Sequence, residues 1–378
     1  MTFFSRVSPL NALVFCLLTL SSWPCQAGQA NAPISEPQAN PWSGNIETQL
    51  GYESNVNQVN RNVENITSSW FSENSLEITR SATIGRGSCE FTLQAEYKTF
   101  FATSALDEFL LQPSVILHED VADGLSLDVT CDAGIFRAKV DQAFVNDPNT
   151  TERGVGAGAG VELKKTYPDQ TILKWAGRIE GELFEYYQGS NLDCSTHIEA
   201  EKILGKGITA RSGATAEWQG YRNVSWSGQP ADEPPEVNTL NCRAFMGLAG
   251  SWNESWKWTI SLVGGPDFDL AGGYYNALTL GLRSKLVYQV GNWTFSLRID
   301  PEMAFFHTRP AVLGESSPPL AVQEMWARAE VAYEIAPGWE LFASTAWDWQ
   351  WTNGGNAANA SLNSFDDLVI RSGLMITF

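Results

Sequence analysis

Between Trp42 and Phe378, apolar and polar residues change places at every second position over long stretches. Trp293, Phe295, Leu297 and Ile299 are apolar, with Thr294, Ser296 and Arg298 between them. Leu173, Trp175, Ile179 and Leu183 oppose Lys174, Arg178, Glu180 and Glu182. Trp339, Leu341, Trp347 and Trp349 oppose Glu340, Ser344, Asp348 and Gln350. A period of two marks a strand with two unlike faces. These runs reach the roughly ten residues that cross a bilayer at a tilt. Strands of water-soluble domains are nearer to about five or six residues. Sixteen such segments can be marked, within a range of fourteen to eighteen. Short turns near 85–88, 120–124, 204–207, 252–255, 290–292 and 336–338 alternate with longer polar connections near 139–153, 222–238, 264–273, 308–320 and 352–364. This rhythm predicts an all-β fold, a transmembrane antiparallel β-barrel with tight turns at one rim and long loops at the other.

The N-terminus fits export. Arg6 is the only charge before an apolar run from about Leu10 to Leu20, which breaks at Pro24 with Ala27 and Ala30 beyond. That run falls short of the roughly 20 residues of a spanning helix, so residues 1–27 read as a signal peptide. Residues 28–41, rich in Ala, Asn, Gln and Pro, read as a disordered periplasmic lead-in, and 42–378 as the barrel. A mean hydropathy of -0.18 would suggest a soluble protein. A barrel hides its membrane face in this way because only alternate residues meet lipid. Trp252, Trp256, Trp293 and Trp339 flank the short turns, where an indole can sit at a lipid–water boundary.

The last segment, Leu368 to Phe378, alternates to its end and stops on an aromatic residue. It resembles the closing strand of bacterial outer-membrane barrels. That resemblance implies that Phe378 is part of the signal read by the barrel assembly machinery, and that the protein resides among outer-membrane lipids. The segment Gly51-Tyr52-Glu53-Ser54-Asn55-Val56 follows the first strand and resembles the start of the bacterial barrels grouped as β-barrel porin type 2. Porin-like permeation, without a named solute, is what this second resemblance implies. No residue pattern establishes a homo-oligomer.

Charges are costly on a lipid face, so strand parity sends them inward. The inward candidates for a pore lining are Lys98, Asp128, Asp132, Lys174, Arg178, Glu180, Glu182, Arg211, Glu217, Arg283, Arg298, Arg328, Glu330, Asp348 and Arg371. Rows of both signs in a wide barrel would order ions in a water-filled lumen; the bland alternative is a lumen packed with salt bridges. Arg80 falls on the outward parity, which calls for a bulge or a shifted second strand. Gly154, Gly156, Gly158 and Gly160 all fall inward and leave a bare wall. An external loop, 139–153 or 222–238, is expected to dock there. The glycine run lacks the helix and acidic ribose ligand of a nucleotide fold.

The formal charge of -19 argues against nucleic acid as a partner. It favours cations in the lumen. Cys89, Cys131, Cys194 and Cys242 remain after the leader, each on outward parity and without paired spacing. Free thiols are the expectation, and a metal site is not. His118, His197 and His307 show no serine-histidine or aspartate-histidine pattern, so neither an enzyme nor a cofactor is expected. The sequence therefore points to a passive channel for small hydrophilic solutes or ions with a modest cation preference. The alternative is a non-conducting barrel whose external loops serve adhesion, envelope scaffolding or assembly.

Overall fold

The computed structural model describes residues 41–55, 68–85, 87–102, 107–139, 151–184, 191–205, 207–221, 238–270, 272–313, 316–355 and 364–378. The leader and nearly all of the lead-in lie outside these. The described residues form sixteen strands. The first four are β1 Trp42–Glu53, β2 Ser69–Ile84, β3 Gly87–Phe100 and β4 Glu108–Ala122. Next come β5 Leu125–Lys139, β6 Thr151–Thr166, β7 Ile172–Phe184 and β8 Asn191–Gly205. Then follow β9 Ile208–Tyr221, β10 Asn238–Ser251, β11 Trp256–Asp269 and β12 Ala277–Val290. The last are β13 Trp293–Pro310, β14 Pro319–Ala336, β15 Trp339–Thr352 and β16 Phe365–Thr377. Each pairs antiparallel with its neighbours in sequence, and β1 pairs with β16 to close the barrel. The expected fold and strand count are both observed.

Outward positions carry large apolar side chains. Leu183, Ile198, Met246 and Leu262 are each more than half exposed. Apolar surface on this scale is untenable in water and natural against lipid. Among the described residues no helix is long and apolar enough to cross a membrane. The four cysteines are free. Arg80 is a correction to the sequence reading. Its strand pairs with β1 and β3 without a register shift, and the side chain faces outward. The guanidinium lies 5.3 Å from the Trp42 ring centroid, at the end of the strand beside the short turns. A cation on an indole face at a membrane boundary needs no bulge.

Backbone chemistry sets the turns and the gaps. At the β4–β5 turn Gly124 has φ +64 and a Cβ there would collide with the Thr166 carbonyl. Both constraints call for glycine, and the Thr166 N–H donates to the Gly124 carbonyl at 2.7 Å. Pro113, Pro266 and Pro301 lie inside strands of a sheet that has no edge to receive them. Each interrupts one ladder while the register is kept. Pairing of β12 with β13 stops at Gly281↔Glu302 and resumes at Ser284↔Ile299. There the Asp300 carboxylate accepts the Ser284 N–H at 3.2 Å. Beside Pro266, an Arg243 N–H donates to the Gly265 carbonyl at 3.4 Å. Side chains thus take up backbone groups beside two of the three prolines.

The seam is fastened at both ends. At the turn rim, Gly44 and Phe378 exchange two backbone hydrogen bonds of 3.0 Å. The Phe378 ring lies over Gly44, where an added Cβ would fall 2.9 Å from its Cζ. At the loop rim, Ser54 N–H donates to the Leu368 carbonyl at 3.0 Å, and Leu368 N–H donates to Ser54 Oγ at 2.8 Å. Asp367 Oδ1 accepts from Ser54 Oγ at 3.1 Å and from the buried Asn55 N–H at 2.9 Å. Asp367→Ala should therefore lower unfolding stability by about 1–3 kcal/mol. Urea unfolding of the barrel in detergent micelles measures this, and an unchanged midpoint would show that the clasp contributes nothing.

Candidate pore lining

Every charged candidate from the sequence stands on the strand parity opposite the exposed apolar rows, on the inner face. The structure joins several of them. Arg178 donates to Asp132 at 2.8 Å and to Glu180 at 2.9 Å. Arg298 reaches Asp300 at 2.6 Å and lies 4.8 Å from the Trp326 ring centroid. Arg283 pairs with Glu302 at 2.8 Å, Arg211 with Glu199 at 2.7 Å, and Arg328 with Glu330. Arg371 donates to Ser344 Oγ at 3.0 Å. Lys98 binds Glu53 at 2.8 Å and sits over the rings of Phe71 and Phe100, at 4.4 and 4.6 Å. Others stand in mixed, like-charged or neutral surroundings in the ladder. Lys174 stands across from Lys164 on one side and Glu199 on the other. Asp348 stands across from Asp367, and Glu217 lies between Ser195 and Asn241.

The glycines of β6 explain how groups two strands apart can meet. Gly154 pairs with Phe136 on β5 and with Phe184 on β7. Those rings meet above it edge to face, with centroids 5.3 Å apart. Gly158 pairs with Asp132 on one side and Glu180 on the other, and the Arg178–Asp132 bridge passes over it. A Cβ at Gly158 would lie 2.5 Å from Arg178 Nη2. The described neighbours of this wall are thus side chains of β5 and β7. Of the two loops expected to dock there, 140–150 and 222–237 lie outside the described residues. The same device recurs: Gly51, Gly213 and Gly373 stand directly across from Phe71, Phe245 and Phe342. In each case a Cβ would collide with the ring.

The charges are also ordered along the barrel axis. On β7, β9, β14 and β16 an arginine lies nearer the turn rim and a carboxylate nearer the loop rim: Arg178 and Glu182, Arg211 and Glu217, Arg328 and Glu324, Arg371 and Asp367. On β13, Arg298 likewise precedes Glu302. Lys98 and Arg243 lie toward the loop rim against this order, neutralised by Glu53 and Asp267, and Glu330 lies on the turn side of its partner Arg328. Toward the loop rim, carboxylates face carboxylates across the ladder, Glu302 against Glu324 and Asp348 against Asp367. Such pairs are destabilising unless water or counter-ions reach them.

The sequence reading missed Glu53, which sits in the motif read only for resemblance, and the Arg243–Asp267 pair. Parity alone would have placed Arg243 inward, because Cys242 beside it faces out. A further correction concerns His118. Its Nδ1 lies 2.5 Å from Asp128, so an aspartate-histidine contact does exist. Ser88 stands directly across from His118, but the second ring nitrogen faces Asp120 at 3.5 Å. His197 stacks on Phe245, with centroids 5.7 Å apart. Among the described residues no group of three metal-ligating side chains converges.

No family model matches the chain, and no curated protein matches it. Solved structures do. OccAB1 of Acinetobacter baumannii is 8% identical, with 89% of this chain and 97% of that one covered and a TM-score of 0.54. OccAB3 of the same organism is 9% identical, with 89% and 99% covered and a TM-score of 0.50. The likeness is one of fold. This chain has the transmembrane β-barrel fold of those proteins.

The bridge over Gly158 can be tested without assuming any activity. Gly158→Ala should push the flexible Arg178 tip off Asp132 while the barrel still folds. Its cost should shrink by about 1 kcal/mol or more in an Arg178→Ala background. Urea unfolding of the two single variants and the double variant closes the cycle, and additive costs would refute the bridge.

Proposed function

We propose that this chain is a bacterial outer-membrane channel for passive diffusion of small hydrophilic solutes and ions, with a modest preference for cations. The observation that carries the reading is exposure inside a closed wall. The side chains of Arg298, Arg283 and Arg211 point inward, yet they are 51%, 46% and 43% exposed. A lumen packed solid with salt bridges would bury them; a lumen holding water leaves them so. A closed barrel of sixteen strands is wide enough for an aqueous channel. The motif beginning at Gly51 and the terminal Phe378 support membership of the β-barrel porin type 2 group and delivery by the barrel assembly machinery.

The cation preference follows from the carboxylates facing one another near the loop rim, which a mobile cation stabilises and an anion does not. The arginines nearer the turn rim keep that preference modest. Refolded barrel in a planar bilayer under a KCl gradient should show stable conductance steps and a cation-side reversal potential. Replacing Glu324 by Gln and Asp348 by Asn should cut that preference to roughly half. An anion-side potential would refute the charge argument and keep the channel. A folded, silent barrel would overturn the channel and favour the loop-borne adhesion or scaffold role.

A further inference from the structure

We infer that the loop-rim half of the β2–β7 wall is a binding site for an organic cation, an ammonium carrying an apolar body. The assignment deepens the channel reading and rests on it for access from solution. A cavity of about 510 Å³ opens here, within the range of small-molecule sites. Glu73, Glu96, Glu108 and Glu182 line it together with the Phe136 and Phe184 rings. Lys98 and Arg137 line it too. Lys98 stands directly across from Glu73 but turns its ammonium to Glu53, a residue outside the lining. The carboxylates therefore outweigh the positive charge.

Three features select the ligand class. The polar contacts of Glu96 and Glu182 come from neutral amides, Gln94 at 2.7 Å and Asn191 at 3.3 Å, which leave the negative charge uncompensated. No three ligating side chains converge among the described residues, so the charge is spread too widely for a metal ion and suits a large, diffuse cation. Of the aromatic pair over Gly154, Phe136 is buried and Phe184 is part-exposed. The Phe184 ring, backed by Phe136, therefore presents the π surface beside those carboxylates, the combination that holds alkylammonium groups. The wall already shows this chemistry: the Lys98 ammonium rests over two phenylalanine rings against a carboxylate.

The test is calorimetric titration of the folded, full-length barrel in detergent with benzyltrimethylammonium, against benzoate and benzyl alcohol. Saturable binding of the ammonium is expected, at least roughly tenfold tighter than either control. The Glu96→Gln/Glu182→Gln variant should weaken it at least about fivefold, more in low salt than in high. Phe184→Leu stays apolar but removes the more exposed π face, and should weaken it about threefold or more. Absence of saturable heat, equal binding of benzoate, or binding unchanged in both variants would each overturn the site. Block of single-channel current by the same probe tests access. A conducting barrel that does not bind the probe refutes the site and leaves the channel; a silent barrel that binds it does the reverse.

Discussion

In a bilayer an unpaired backbone N–H or carbonyl has no water to turn to, and each costs several kcal/mol. Everything in this fold depends on closing the sheet so that no edge remains. β1 and β16, joined from opposite ends of the chain, make the closing ladder. Both ends of that ladder are reinforced, by the Phe378 ring over Gly44 at one rim and by Asp367 beneath Ser54 and Asn55 at the other. Once it is closed, one face of every strand must meet lipid and the other must meet the lumen. The alternating sequence has no other way to satisfy both.

The inner face then has to hold charges without collapsing on them. Short-range pairs do part of this work. Arg178 with Glu180, Arg298 with Asp300 and Arg328 with Glu330 each join residues two apart on one strand, which share a face. Longer pairs cross a strand, as Arg178 does to Asp132. Toward the loop rim carboxylates face one another, Glu302 with Glu324 and Asp348 with Asp367, and Arg298, Arg328 and Arg371 lie nearer the turn rim on the same strands.

Fold class was legible because it is written locally. Period two, turn spacing and the outward cysteines each need only a short window of sequence. The inward placement of Arg178 or Arg298 follows from the same parity. What was not legible depends on register or on contacts between strands that are not neighbours. Glu53 reaches Lys98 across β2, and Phe136 meets Phe184 across β6; no local pattern reports either contact. Arg80 was misread because parity says which way a residue points but nothing of its height, and at the rim an outward cation has Trp42 to rest on. His118 and Asp128 lie ten residues apart and meet only because a tight turn folds β4 onto β5.

The glycines of β6 make that strand a spacer whose neighbours decide the chemistry above it. A change in the lumen here is written in pairs, on β5 and β7 together, at positions as distant in sequence as Asp132 and Arg178. Among descendants of this chain those partners should be inherited as couples, while the glycines between them stay constant. The bore would then diversify along a wall whose own residues never change.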